Sequence, residues 1–185
     1  MNTRIHLFLL AAAVLAAPAL ASDSEKQIPA SGTVQVAFPP EDNANGLIVQ
    51  ALREAKRTVL VQAFSFTSNE ITSGLIEARR RGVDVRMVVD GEQLAKLQNN
   101  RVGLVAQAGV PVWVDEQHQS AHNKAMVIDA ETANSIVITG SMNFTYSGQF
   151  KNAENLLILR GNKALAEAYA ANWQRHRQHA RPYHR

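Results

Sequence analysis

The residues with the clearest chemical meaning lie in the segment His122-Asn123-Lys124-Ala125-Met126-Val127-Ile128-Asp129. The apolar run after Lys124 predicts a β-strand, and residues two apart on a strand point to the same face. His122 and Lys124 are therefore expected to project to one side. An imidazole can attack phosphorus, and an ammonium neutralises the charge that builds on the non-bridging oxygens. The pair predicts a phosphate site.

Asp129 closes this segment and is predicted to have a different task. It is an odd number of residues from Lys124, so it faces the other side of the strand or lies in the turn after it. We expect Asp129 to hold local structure without touching the substrate.

Three further polar residues follow the segment. Ser141 and Asn143, in Gly140-Ser141-Met142-Asn143, share a face if the chain is extended, and both can donate hydrogen bonds to phosphate oxygens. Glu154 begins a predicted strand, where its carboxylate could accept from one nitrogen of His122 and fix the tautomer. Taken singly, the first two fit a turn and Glu154 a solvated strand end equally well.

The elements that must position these residues alternate between strand and helix in the first half. A β-α-β-α-β order predicts a mixed, mostly parallel β-sheet flanked by helices on both faces, an α/β fold. The second half predicts a hairpin of two strands, one more strand and a final helix. The predicted strands are 34–38, 58–66, 83–90, 112–114, 124–129, 135–139 and 153–159. The predicted helices are 41–56, one that begins after Ser68, 91–108 with a break near Asn99-Asn100, and 163–179. The last helix is expected to place Leu165, Ala166, Tyr169 and Trp173 on its core face.

The N-terminus has the composition of a secretory signal. A short basic start, an apolar stretch from Leu7 to Ala17 and small residues at Ala19 and Ala21 predict a signal peptide over residues 1–21. The alternative is a membrane anchor, but a bilayer span needs about 20 apolar residues. Residues 22–185 are then a single catalytic domain, periplasmic or secreted, without stable membrane insertion after signal removal.

Composition restricts the chemistry further. The chain has no cysteine, which excludes thiolate catalysis and cysteine-ligated zinc. The net charge is +3, with four arginines and three histidines in the last eleven residues. Such a cluster suits a polyanion, although a solvated helix face with a frayed tail fits as well. His118 is the best candidate metal ligand, but it is predicted to be an exposed loop residue, so no metal site is expected.

His-x-Lys-x4-Asp followed by Gly-Ser-x-Asn resembles the signature of the phospholipase D superfamily. The signal peptide and the segments Ala63–Thr67 and Arg81–Val85 resemble its small, secreted bacterial endonuclease branch, and the similarity extends over residues 34–183. A longer turn at residues 130–134 departs from the family pattern and is expected to change only a loop. The resemblance implies that His122 is the nucleophile, that Lys124, Ser141 and Asn143 bind phosphate, that Glu154 orients His122, and that Asp129 belongs to the catalytic set.

The resemblance also implies a homodimer. Phosphodiester hydrolysis through a covalent step needs a nucleophile and a proton donor, and this chain carries one copy of the motif. A two-fold axis would pair two His122 residues, with no metal and no cofactor required. The expected activity is a non-specific endonuclease acting on DNA or RNA. A phospholipase D-type lipid phosphodiesterase and a non-catalytic polyanion-binding module remain the alternatives.

Overall fold

Strands and helices alternate along most of the chain. The computed structural model describes residues 26–184, so the predicted signal peptide, residues 1–21, lies outside the described residues. The strands are β1 (Thr33–Ala37), β2 (Thr58–Ala63), β3 (Asp84–Asp90), β4 (Val112–Asp115), β5 (Lys124–Ile128), β6 (Ile136–Gly140), β7 (Leu156–Arg160) and β8 (Arg181–Pro182). The helices are α1 (Ala44–Glu54), α2 (Asn69–Arg80), α3 (Gly91–Lys96), α4 (Val102–Gln107), α5 (Tyr146–Phe150) and α6 (Lys163–His179).

The strands form one mixed sheet in the order β1-β7-β6-β5-β2-β3-β4-β8. This confirms the predicted α/β class with a mixed sheet, but the expectation of mostly parallel pairing is wrong. Only β2–β3 and β3–β4 are parallel among the described pairs. The second half of the sheet is antiparallel because β5 and β6 are joined by a short turn, and parallel neighbours need a longer crossover.

Helices cover both faces of the sheet, as predicted. The larger core cluster includes buried residues of α1 and α2, among them Ile48, Leu52, Ile71 and Leu75. On the other face, α6 covers a smaller cluster that includes Val127 and Val137. The predicted core face of α6 is confirmed: Ala166 and Trp173 are buried, and Leu165 and Tyr169 pack against the smaller cluster.

Local sequence signals explain where several helices begin and end. The Ser68 hydroxyl accepts from the Ile71 amide at 3.3 Å, which caps α2, and Asn162 caps α6 in the same way. The predicted break near Asn99-Asn100 separates α3 from α4. There the side-chain amide of Asn100 donates to the Leu97 carbonyl at 2.7 Å. This hydrogen bond competes with the backbone hydrogen bonds that would continue the helix.

Two stretches differ from the sequence expectation. The strand predicted from Ala153 begins only at Leu156, because the amide of the preceding residue, Asn155, donates to the Ser141 hydroxyl and not to a backbone carbonyl of β6. A frayed tail was one of the two alternatives for the basic C-terminal cluster, but Arg181–Pro182 form strand β8, which pairs with β4, and Arg181 makes a two-point contact with Glu116 at 2.8 and 2.7 Å. Among residues 26–184, no helix is both long and apolar enough to cross a membrane.

Asp129 fixes the position of β2 relative to β5. It follows β5 directly, with a positive φ of 50°. Its Oδ1 accepts from the amides of Arg57 and Thr58, and its Oδ2 from the amide of Lys56, each at 2.8 Å. The side chain is buried and lies at the end of β5 opposite to Lys124. This geometry agrees with the expectation that Asp129 holds local structure.

Replacing Asp129 is therefore expected to destabilise the fold. Asp129→Ala leaves three backbone N–H groups without their acceptor and places Ala at a positive φ, so the free energy of unfolding should fall by about 3 kcal/mol or more. Asp129→Asn keeps one carbonyl acceptor and tolerates that φ, so its loss should be smaller. Urea denaturation followed by circular dichroism measures both. Equal stability of Asp129→Ala and wild type would contradict this role.

Candidate active site

The site is built at the beginning of β5. In the sheet Lys124 pairs with Ala63 at the end of β2, and the Phe64 amide donates to the Asn123 carbonyl at 2.9 Å. This register places the Phe64 ring 4.3 Å from the His122 ring, centroid to centroid, and 4.9 Å below the Lys124 ammonium. The aromatic ring thus supports both groups from one side.

His122 and Lys124 share a face, as their spacing predicts. The Lys124 Nζ lies 2.8 Å from His122 Nδ1 and donates to the His122 carbonyl at 2.6 Å. His122 is exposed to solvent, whereas Lys124 is buried. An ammonium that donates to Nδ1 leaves the proton of a neutral imidazole on Nε2. Attack through Nε2 therefore requires Lys124 to turn from Nδ1 to a phosphate oxygen, and Nδ1–H to find an acceptor.

Ser141 and Glu154 lie together, although they come from different sides of α5. The Ser141 hydroxyl donates to Glu154 Oε2 at 2.5 Å and accepts from the Asn155 amide at 3.0 Å. Asn152 donates to the other oxygen, Glu154 Oε1, at 3.0 Å. The Glu154 amide in turn donates to the Pro39 carbonyl. The carboxylate is held on both oxygens at the rim of the sheet.

The expected hydrogen bond between Glu154 and His122 is not formed. Among the described residues, the side-chain hydrogen bonds of Glu154 go to Ser141 and Asn152, and His122 Nδ1 faces Lys124. Glu154 acts on the site through charge instead. Burial lowers the pKa of Lys124, and the carboxylates of Glu154 and Asp90 oppose this by favouring the ammonium. The orienting role of Glu154 toward His122 stays a prediction.

Asn143 is half-buried two residues beyond Ser141. Its Oδ1 is buried and has no hydrogen-bond partner among residues 26–184. The next residue, Phe144, is fully buried, and its carbonyl accepts from the amides of Thr67 and Ser68, each at 3.0 Å. The backbone after Ser141 is thus fixed against the loop that follows β2, while the Asn143 side-chain oxygen is uncommitted.

A second group of functional side chains was not predicted. Asp115 at the end of β4 is contacted by His118, His176 and His179. Burial raises the pKa of Asp115, but hydrogen bonds from His176, His179 and His118 outweigh this and hold the pKa well below its ordinary value. From the sequence, His118 was the one candidate metal ligand, and His176 and His179 were interpreted as part of a basic cluster at the C-terminus. The signal lay in two short spacings, Asp115-x2-His118 and His176-x2-His179.

Comparison with known proteins supports the resemblance. Residues 48–177 match the model of the family described as cardiolipin synthase, phospholipase D-like domain. A protein named phospholipase D from Rickettsia prowazekii is 37% identical over 140 residues, which are 76% of this chain and 65% of that protein. A mitochondrial cardiolipin hydrolase from Xenopus laevis is 30% identical over 138 residues, 75% of this chain and 63% of that protein. The chain thus spans just under two thirds of each relative.

The fold is also similar to solved structures. Nuc from Salmonella typhimurium, described as a phospholipase D family member, superposes with a TM-score of 0.77 at 31% identity, covering 84% of this chain and all of that one. NucT from Helicobacter pylori gives a TM-score of 0.73 at 17% identity over 83% of this chain and all of that one, a likeness of fold alone. With a family match over most of its length and the paired His122 and Lys124 in place, this chain belongs to the phospholipase D superfamily.

Proposed function

We propose that this protein is a metal-independent phosphodiesterase, and specifically a non-specific endonuclease that cleaves DNA, with RNA as a further substrate. The observation that carries the proposal is the pairing of an exposed His122 imidazole with the Lys124 ammonium, 2.8 Å from Nδ1, at the beginning of the interior strand β5. A nucleophile beside a fixed positive charge is suited to a phosphodiester anion.

The proposed reaction has two steps. His122 Nε2 attacks phosphorus, the bond from phosphorus to the leaving oxygen breaks, and a second histidine gives that oxygen its proton. Water then attacks the phosphohistidine, the same second histidine takes the proton from water, and His122 is released. Lys124 neutralises the non-bridging oxygens in both steps. The Asn143 side-chain amide donates to them, and the Ser141 hydroxyl donates after it turns away from Glu154. The charge is supplied by side chains, so the scheme requires no metal and no cofactor.

The charge of the protein favours a polyanionic substrate. The net charge is +3, and removal of Arg4 with the predicted signal peptide lowers it by one to +2, which still attracts polyanions. Contacts to phosphate carry no base information, which predicts little sequence preference. The C-terminal basic cluster contributes less than its composition suggests. Arg181 is paired with Glu116, and His176 and His179 contact Asp115.

A lipid phosphodiesterase is the second candidate, and two observations favour it. Relatives of this chain are named phospholipase D and mitochondrial cardiolipin hydrolase. In addition, Phe38, Tyr146 and Phe150 are 56%, 59% and 49% exposed. Phe38 lies before α1, and Tyr146 and Phe150 lie in α5, between Ser141 and Glu154 in the sequence. Gln149 of α5 links these two parts of the chain through hydrogen bonds with Asn45 and Asp42. Such residues would contact an acyl region as readily as they would a second protein surface.

We infer that the active unit is a homodimer. One chain carries one His122, and the two-step reaction needs a nucleophile and a proton donor of the same kind. Across a two-fold axis one His122 would act as the nucleophile and the other as the proton donor. The exposed aromatic side chains beside the site are available for such an interface. We further propose that the predicted signal peptide exports the protein, which is then periplasmic or secreted.

The first prediction concerns the reaction itself. Purified wild-type protein is expected to nick and linearise plasmid DNA in EDTA, and His122→Ala to lose at least about 1,000-fold of this activity, since the nucleophile is removed. Gel electrophoresis measures the conversion. Cleavage of phosphatidylglycerol vesicles without DNA cleavage would contradict the nuclease and support the lipid phosphodiesterase. Binding of DNA without hydrolysis of either substrate would favour a polyanion-binding module and contradict the enzyme.

The second prediction concerns Glu154. Its negative charge raises the pKa of Lys124, so Glu154→Gln lets that pKa fall and the ammonium is lost at a lower pH. In an NMR titration that follows the side-chain signals of Lys124, the pKa of Lys124 should be lower in Glu154→Gln than in the wild type. Glu131→Gln, in the exposed turn after β5, is the matched control and should leave that pKa unchanged. An unchanged Lys124 pKa in Glu154→Gln would exclude this electrostatic role.

The third prediction tests the shared site. Wild-type chains are exchanged with an equal amount of His122→Ala chains, and mixed dimers are verified by native mass spectrometry. If one site needs both histidines, random pairing should reduce the activity of the wild-type chains to about half. The same mixture before subunit exchange is the control. Full activity in the presence of mixed dimers, or a monomer by light scattering, would rule out the shared site.

A further inference from the structure

Four side chains whose atoms could ligate a metal meet at the end of β4, outside the His122 motif. Asp115 ends β4, His118 lies in the following loop, and His176 and His179 occupy the last turn of α6. Their nitrogen and oxygen ligand atoms all lie within 4.8 Å of one another. The Asp115 side chain is fully buried, whereas the His118 side chain is 46% exposed. The cluster thus joins strand, loop and helix around one buried carboxylate.

The two oxygens of Asp115 share one partner, His118 Nδ1, which lies 3.3 Å from Oδ1, and their other partners differ. Oδ1 accepts from the backbone amides of Gln117 and His118, at 3.1 and 3.4 Å, which fixes the loop. Oδ2 faces three imidazole nitrogens: His176 Nδ1 at 2.7 Å, His118 Nδ1 at 3.1 Å and His179 Nε2 at 3.1 Å. A carboxylate oxygen offers two lone-pair directions, so three ring donors on one oxygen exceed what it can satisfy well.

A cation between the four atoms resolves this crowding. Each imidazole then presents a lone pair, and Asp115 remains an anion. In a tetrahedral site with bonds of 2.0–2.1 Å, neighbouring ligand atoms are about 3.3 Å apart. The separations of 2.7–3.1 Å from Oδ2 need a small expansion to reach that value, and the widest separations in the group, which extend up to 4.8 Å, need a contraction. Three imidazole nitrogens and one carboxylate oxygen form a donor set typical of zinc.

The surrounding fold holds the ligands in advance. Trp173 lies one helical turn before His176, is buried, and donates from Nε1 to the Val61 carbonyl at 2.9 Å. It also packs edge-on against Trp113 of β4, with ring centroids 5.9 Å apart. Because residues three apart share a helix face, His176 and His179 both point toward the end of β4. The ligands of α6 are thereby positioned without the help of a metal.

We propose that Asp115, His118, His176 and His179 bind one divalent transition-metal ion, with zinc as the best match. Four protein ligands complete a tetrahedron and leave no open position, so the site is structural and takes no part in phosphodiester chemistry. It would fasten the end of α6 to the loop that leads to His122. That loop is already held at its other end, where Ala121 donates to Asp90 Oδ2 at 2.7 Å.

Direct measurement of metal binding tests this proposal without reference to activity. Purified protein is stripped of metal, reconstituted with zinc or cobalt(II), passed through gel filtration and analysed by mass spectrometry for metal content. We expect one zinc per chain, a higher melting temperature with zinc, and the intense visible absorption of tetrahedral cobalt. His118→Ala and His179→Ala should each weaken zinc binding by about 100-fold or more, since changes outside the ligand set already cost 10- to 100-fold.

Two histidine variants serve as matched controls. His184→Ala, at the exposed C-terminus, and His122→Ala, in the proposed active site, should retain one zinc per chain. His118 lies in an exposed loop, so its variant is expected to remain folded, and circular dichroism without metal verifies this. Absence of bound zinc in the wild type would overturn the proposal. Equal zinc affinity in wild type and folded His118→Ala and His179→Ala would overturn it as well.

Discussion

The position of the site depends on the contact between Asp129 and the backbone at the beginning of β2. The three amides bound by its carboxylate fix the register in which β2 and β5 run antiparallel. At the other end of the same pair, this register brings Phe64 beside His122 and Lys124. A residue about 16 Å away along a five-residue strand therefore decides where the imidazole and the ammonium meet. Asp129 can therefore belong to the motif because it positions His122 and Lys124, without contacting the substrate itself.

Much of the fold could be predicted from local patterns. The bounds of α6 and the break between α3 and α4 follow from helical spacing and from Asn100, whose side chain competes for backbone carbonyls. The direction of pairing could not be predicted in the same way. An apolar strand such as β5 has the same pattern whether its neighbours are parallel or antiparallel, and only the short β5–β6 connection indicates the latter. The short helix α5 gives too little periodicity to be recognised.

The site was predictable to the extent that it is local. The shared face of His122 and Lys124 follows from their spacing of two residues. Contacts between residues distant in sequence could not be predicted. Glu154 accepts from Ser141 and not from His122, and this choice of partner depends on side-chain rotamers. The group around Asp115 unites residues some 60 positions apart, and no local pattern relates the two. Composition even obscured it, because His176 and His179 stand among arginines and were interpreted as part of a basic tail.

The order of the strands also determines when the protein can fold. Among the described strands, β1 has β7 as its only neighbour, and Thr33 pairs with Arg160. The chain must therefore be synthesised through β7 before β1 can join the sheet, and closing such a long loop is slow. A nascent chain that ends before Glu154 offers β1 no partner among these strands and lacks the carboxylate beside Ser141. The site therefore assembles only after β7 has been added.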